Sequence, residues 1–330
     1  MIMQQTSYRT GSGDFQYDVI ERWGDLPDGW TLADTAGVAV DSVDNLYVFH
    51  RSDAHPVIVL DPAGRFVRSW GGGLFKRAHA ACFGPDGSVY CVDDVGHALR
   101  KFDSDGRLLL EINTADALTD NGYDGTFGSV TRSGPPFNLP TGVAISPEGH
   151  IITSDGYGNA RIHRFTDAGE LIASFGEPGH GPGEFLLPHG VVVDRGGRIY
   201  VADRENNRVQ VFLEDGAFLS EWPAPRASSL CLDHEQNVYV TEMGQVMQGQ
   251  PGNKHMVKEN ARPRVTVRDT DGRILAELTP REPTGDGLYF SPHSIAIDSA
   301  GNLYVAEVCE SYSGGLAPKN RPRLHKYVRR

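Results

Sequence analysis

Three histidines, His79, His189 and His293, recur at one register of an internal repeat and are absent from the copies between them. Six segments share that register: AGVAVD (36–41), HAACFG (79–84), TGVAIS (141–146), HGVVVD (189–194), SSLCLD (228–233) and HSIAID (293–298). Their first positions read Ala36, His79, Thr141, His189, Ser228 and His293. If the copies form a ring, alternate members aim an imidazole at the axis with near three-fold symmetry. Three neutral imidazoles around a point, with a coordination position left open, are the ligand set of a catalytic zinc or similar transition-metal site. One histidine before a strand is ordinarily a satisfied polar residue, and it is the alternation that lifts these three above it. The other nine of the twelve histidines, among them His50, His55, His97, His163 and His325, are read as surface or packing residues.

A second register lies at the end of the following segment, on the same side of each repeat as the histidines. It reads FHRSD (49–53), VDDVG (92–96), SDGYG (154–158), ADREN (202–206), TEMGQ (241–245) and AEVCE (306–310). Arg51 and Arg204 share one position in it, and Tyr157 falls one residue further along. Two guanidiniums beside a metal predict a substrate with an anionic group, because guanidinium fits a carboxylate through two parallel hydrogen bonds. A tyrosine is a poor base on its own; a neighbouring cation, either Arg204 or the metal, brings phenolate within reach. The set suits removal of a proton from a hydroxyl beside a metal-bound carboxylate. Singly, each arginine would be an ion pair between repeats and the tyrosine a packing aromatic.

The elements that must hold these residues follow from the repeat itself. A period of roughly 40–55 residues signals a propeller or solenoid. Copy four shows the grammar: PHGVVVD, RIYVADR, RVQVFLE and AFLSEWP (188–223), four alternating segments rich in Val, Ile, Tyr and Phe and separated by Gly, Asn and Asp. The third turn recurs as DPAG (61–64), DSDG (103–106), TDAG (166–169), LEDG (213–216) and DTDG (269–272). A lone four-stranded sheet cannot bury both faces, so copies must stack around an axis. There are six copies, the last lacking its outer strand. YDVIERWG (17–24) has the outer-strand pattern and is expected to complete it, closing the ring and removing the exposed edges. The fold is predicted to be an all-β, six-bladed propeller over residues 15–330, preceded by an N-terminal tail (1–14). Insertions at 113–139, 244–262 and 309–321 are expected at the histidine-bearing mouth, as a partial lid.

Composition narrows the function classes. A net charge of -12 and a pI near 5.4 disfavour nucleic acid as a partner. The N-terminal MIMQQTSYRTGSGDF has no apolar core, and nowhere do about 18 apolar residues run together, so neither export nor a membrane is expected. Cys82, Cys91, Cys231 and Cys309 form no CxxC pair and are read as buried thiols of a cytoplasmic protein. A closed propeller needs no partner subunit, so a monomer is expected.

The repeat resembles the NHL repeat. PTGVAISPEGHIITSDGYGNARIHRF (140–165) and PGHGPGEFLLPHGVVVDRGGRIYVADRENNRVQVF (178–212) are similar to the peptidyl-α-hydroxyglycine α-amidating lyases, as are the motifs FHRSD and SPHSI. That resemblance implies cleavage of the carbinolamide C–N bond, giving an amide and glyoxylate. It implies zinc on His79, His189 and His293, Tyr157 as the base, Arg204 activating it, and Arg51 assisting substrate binding. It also implies a calcium in the channel. Where the family has Asp after the last His, this chain has Ser294, so such an ion would rely on backbone carbonyls near Val38, Ala81 and Ser294. Gly158 and Val211 stand where secreted animal enzymes carry Cys, which agrees with a cytoplasmic protein and with a small N-acyl or amide hydroxy acid as substrate. Two rivals remain open: a metal-dependent hydrolase or hydratase on the same residues, and a non-catalytic NHL scaffold. A gluconolactone-type hydrolase is disfavoured, since its calcium wants carboxylates and Asn rather than imidazoles.

Overall fold

A computed structural model describes residues 6–118, 120–126, 128–244, 262–279, 291–313 and 321–330. Most of the insertion expected at 244–262 and part of that at 309–321 lie outside the described residues. The remainder forms six antiparallel sheets, five of them built in chain order from the channel outwards, and one short parallel pair, Glu177–Pro178 with Glu184–Phe185. The inner strands are Thr35–Val40, Ala78–Phe83, Pro140–Ile145, Pro188–Val193, Ala227–Leu232 and Pro292–Ile297. Each touches the next, and the last touches the first, which makes a closed six-bladed ring.

Closure occurs where the sequence places it. Phe15–Glu21 pairs with the C-terminal Leu324–Arg329 and completes blade six. The expected tail does not end there, however. Thr6–Ser12 turns back through Gly13, at φ +56°, and adds a fifth strand to the same sheet. TSYRTGS has little to bury, and as an edge strand it is held by backbone pairing more than by an apolar face, so its sequence reads as tail.

Between each pair of neighbouring blades lies one apolar cluster, six in all. The buried tyrosines Tyr200, Tyr239 and Tyr304, second in their strands, reach past these clusters and donate to the turn aspartates Asp194, Asp233 and Asp298 at 3.1–3.3 Å. Aromatic area is thus buried without stranding the phenol oxygen. A second device bears directly on the site. The second strands of blades two, three, four and six end in buried carboxylates that accept backbone N–H groups from the segment entering the inner strand: Asp93 from Lys76 and Arg77, Asp155 from Asn138, Asp203 from Leu186, Glu307 from Ser291. The residues just before each histidine register are thereby fixed. All four cysteines are free thiols, and among the described residues no helix is long and apolar enough to cross a membrane.

Candidate metal centre

Every inner strand carries a register irregularity at its second residue, such as between Ala78 and Ala80, Pro188 and Val191, and Pro292 and Ser294. An irregularity of this kind re-aims a side chain, and here it turns the register position into the channel. In blades two, four and six that position is His79, His189 and His293, exposed by only 1%, 1% and 4%. Their ring centroids are 4.8–4.9 Å apart, and one ring nitrogen from each lies within 4.8 Å of the other two.

The neighbouring blades decide which nitrogens face inward. His79 Nδ1 donates to Thr141 O (2.7 Å), His189 Nδ1 to Ser228 O (2.6 Å) and His293 Nδ1 to Ala36 O (2.8 Å). A carbonyl can only accept, so each Nδ1 carries the proton and each Nε2 presents a lone pair to the axis. The alternate positions serve the same ring. Thr141 Oγ1 donates to Pro188 O and Ser228 Oγ to Pro292 O, both at 2.7 Å. Ala36 has no hydroxyl, and in its place Arg51 Nε donates to Ala78 O at 3.3 Å. Inner strands must pack closely for this. A Cβ on Gly190 would lie 2.7 Å from Ser228 O, the carbonyl that orients His189.

Burial, then neighbouring histidines and arginines, holds His79 well below the ordinary imidazole range; burial, then Arg204 and His293, does the same for His189, and burial, then Arg51, lowers His293 to about 3. All three are therefore neutral at pH 7. Tyr157, 7% exposed, places its hydroxyl 3.0 Å from His79 Nε2 and 3.2 Å from His189 Nε2. Its place is set by flanking glycines: a Cβ on Gly156 would strike the Pro188 carbonyl, and one on Gly158 would strike Asn138. His293 Nε2 is buried with no hydrogen-bond partner. One phenol proton thus faces three imidazole lone pairs, and a cation satisfies that arrangement better than the described residues do.

Arg204 is buried beside Tyr157, with its guanidinium carbon 5.6 Å from the ring centroid and a hydrogen bond to the tyrosine side chain. Glu205 accepts from both Arg204 Nε and Arg226 Nη2 at 2.8 Å, so this carboxylate is shared between two guanidiniums beside the phenol. Arg51 donates to Ser311 Oγ at 2.6 Å and lies 3.7 Å from Asp34. Asp34 in turn accepts the N–H groups of Cys309, Glu310 and Ser311, tying the start of the blade-six insertion to this mouth. The structure therefore brings together all six residues singled out in the sequence. It adds Glu205, Arg226, Asp34 and Arg77, whose guanidinium carbon is 5.9 Å from the Tyr157 ring centroid. Arg77 is paired with Asp94, which occupies the same register as Arg51 and Arg204. That register was the signal; Arg77 itself precedes the repeat and carries none. Lower in the channel, Ser294 Oγ accepts the Val38 N–H at 3.1 Å. The hydroxyl is engaged in joining two blades and brings no charge for a calcium ion.

Comparison with known proteins agrees with this architecture. Residues 137–165 and 185–212 match the NHL repeat family model. The chain is 30% identical over 238 residues to peptidylglycine alpha-amidating monooxygenase of Rattus norvegicus, covering 62% of this chain and 23% of that protein. It therefore spans about a quarter of the length of the first curated relatives it matches. NHL repeat-containing protein 3 of Homo sapiens is 32% identical over 231 residues, 66% of this chain and 62% of its own. Peptidyl-alpha-hydroxyglycine alpha-amidating lyase 1 of Drosophila melanogaster is 24% identical over 346 residues, 91% of this chain and 58% of its own. Among solved structures, virginiamycin B lyase from Staphylococcus aureus superposes with a TM-score of 0.60 at 12% identity, over 94% of this chain and 99% of that one, a likeness of fold alone. The chain is a six-bladed β-propeller that contains NHL repeats. Its relatives, at modest identity, include amidating lyases and NHL repeat-containing proteins.

Proposed function

We propose that this propeller is a metal-dependent lyase that cleaves the C–N bond of an N-acyl-α-hydroxyglycine, releasing an amide and glyoxylate. The observation that carries the reading is the single phenol proton set against three inward imidazole lone pairs, with Arg204 behind the phenol. His79, His189 and His293 would hold the metal. When bound, a zinc-like ion supplies Lewis acidity to a substrate oxygen.

The remaining work falls to the chain. Tyr157, entering the step as phenolate after its own proton has left to solvent, takes the proton from the carbinol hydroxyl, the C–O bond becomes the aldehyde of glyoxylate, and the C–N electron pair leaves on the amide nitrogen. The same proton, returned by Tyr157, completes the amide, so atoms balance without water. Arg204 stabilises negative charge on the phenol oxygen during the transfer. Arg51, anchored on Ala78 O and Ser311, faces the same mouth and favours an anionic substrate. Calcium has no part in these steps, because Ser294 offers no carboxylate and its hydroxyl accepts the Val38 N–H. A small carboxylate substrate, a monomeric state and a cytoplasmic setting complete the proposal.

The test is to supply N-benzoyl-α-hydroxyglycine to zinc-loaded protein in ¹⁸O-water. Benzamide and glyoxylate in equal amounts, with no ¹⁸O in the benzoyl product, are expected. Labelled benzoate would establish a hydrolase instead. No turnover of this or related hydroxyglycines would leave the scaffold reading in possession.

A further inference from the structure

Besides Arg226, which is fully buried against Glu205, three guanidiniums among the described residues border the centre, and they differ in what they have left to offer. Arg204 is buried and held by Glu205 and Tyr157. Arg51 is 14% exposed and engaged by Ala78 O, Ser311 Oγ and Asp34. Arg77 is the open one: its side chain is 38% exposed, while its partner Asp94 is fully buried. Asp94 accepts Arg77 Nε at 2.8 and 2.9 Å and Nη2 at 2.5 Å, which occupies one edge of the guanidinium. Among the described residues no acceptor engages the other edge, Nη1 with the second Nη2 hydrogen, which offers the two parallel donors that a carboxylate accepts.

Its position is also fixed. Asp93 accepts the Arg77 backbone N–H at 2.9 Å, and His79 follows two residues later. The guanidinium stands over Tyr157, within electrostatic reach of half-buried Tyr123 from the connection between blades two and three. A partly exposed cation locked by a buried carboxylate beside Tyr157 is preorganised for an anion and loses little side-chain entropy on binding one.

We propose that Arg77 is the specificity-determining residue of the site: its free edge receives the substrate carboxylate, and so selects N-acyl α-hydroxy acids over the corresponding neutral amides. The proposal rests on the lyase reading for the identity of the substrate but not for its test. The probes are N-benzoylglycine and N-benzoylglycinamide, neither of which can turn over, titrated calorimetrically into the zinc-loaded full chain. Wild type should prefer the carboxylate by about 10- to 100-fold, the worth of a charge-assisted bidentate pair over a neutral contact. Arg77→Met should bring the preference within about threefold, with metal content unchanged, and Arg77→Lys should restore part of it. Because Arg77→Met leaves Asp94 buried without its partner, Arg77→Met/Asp94→Asn is measured beside it. Wild-type preference retained in either folded Met variant, or no preference in wild type, would overturn the proposal. Arg77-dependent discrimination without lyase turnover would uphold it and remove the lyase reading alone.

Discussion

Replacing Tyr157 by Phe should separate metal binding from chemistry. The substitution deletes one oxygen and leaves the buried ring in place. In the metal-free protein that oxygen hydrogen-bonds His79 or His189 Nε2, at 3.0 and 3.2 Å, so the phenol competes with the metal for the same lone pairs. A buried hydrogen bond of this kind contributes about 0.5–1.5 kcal/mol net. Removing the competitor should leave zinc affinity unchanged or tighten it by up to about tenfold. Turnover should move the other way. Loss of a positioned proton acceptor costs about 10²–10⁴ in rate, or roughly 3–5 kcal/mol of barrier. Zinc affinity is read by competition with a fluorescent chelator, and turnover by glyoxylate release from N-benzoyl-α-hydroxyglycine. If the Phe variant loses zinc along with activity, Tyr157 supports the metal and the assigned role is wrong. Full turnover in the variant would remove it from the mechanism.

Other consequences can be checked separately. Gly190→Ala sets a Cβ against Ser228 O and so disturbs the carbonyl that orients His189; zinc affinity should fall about 10- to 100-fold, measured by the same competition. Glu307 is buried, which alone would raise its pKa, but the hydrogen bond from His325 and the nearby Arg321 hold it at about 2. Its contribution, about 3 kcal/mol, is therefore complete above the unfolded carboxyl value and declines as pH falls from about 4.5 towards 2. Urea unfolding between pH 7 and 2.5 should show a steeper acid loss for wild type than for Glu307→Gln, and parallel profiles would refute the assignment. Asp34→Asn weakens the anchor that holds the Cys309–Ser311 segment beside Arg51; KM should rise several-fold with kcat little changed, and an unaltered KM would show that this clasp does not shape the site.

Much of this was legible because the repeat makes positions comparable. The alternation of His79, His189 and His293 with Ala36, Thr141 and Ser228 is a statement about a ring, and the ring follows from six copies that cannot bury their faces alone. Tyr157 and Arg204 were visible for the same reason, one position apart in the segment that follows the second strand. What stayed hidden depends on contacts the register does not encode. Arg77 lies before its repeat begins, and its role appears only when Asp94 and Tyr157 are seen beside it. The Asp34 clasp joins residues 275–277 positions apart, which only ring closure brings together. Thr6–Ser12 was read as tail because, among the described residues, this edge strand packs only Tyr8 against the core, too little to show as a pattern.

The central claim is that three inward Nε2 lone pairs form a metal site. Equilibrium dialysis of the full chain against zinc, followed by elemental analysis of wild type and His189→Ala, tests it most directly. The account predicts about one equivalent bound in wild type and none in the variant, with the same β-sheet circular dichroism in both. Zinc absent from wild type, or retained in equal amount without the His189 imidazole, would contradict it.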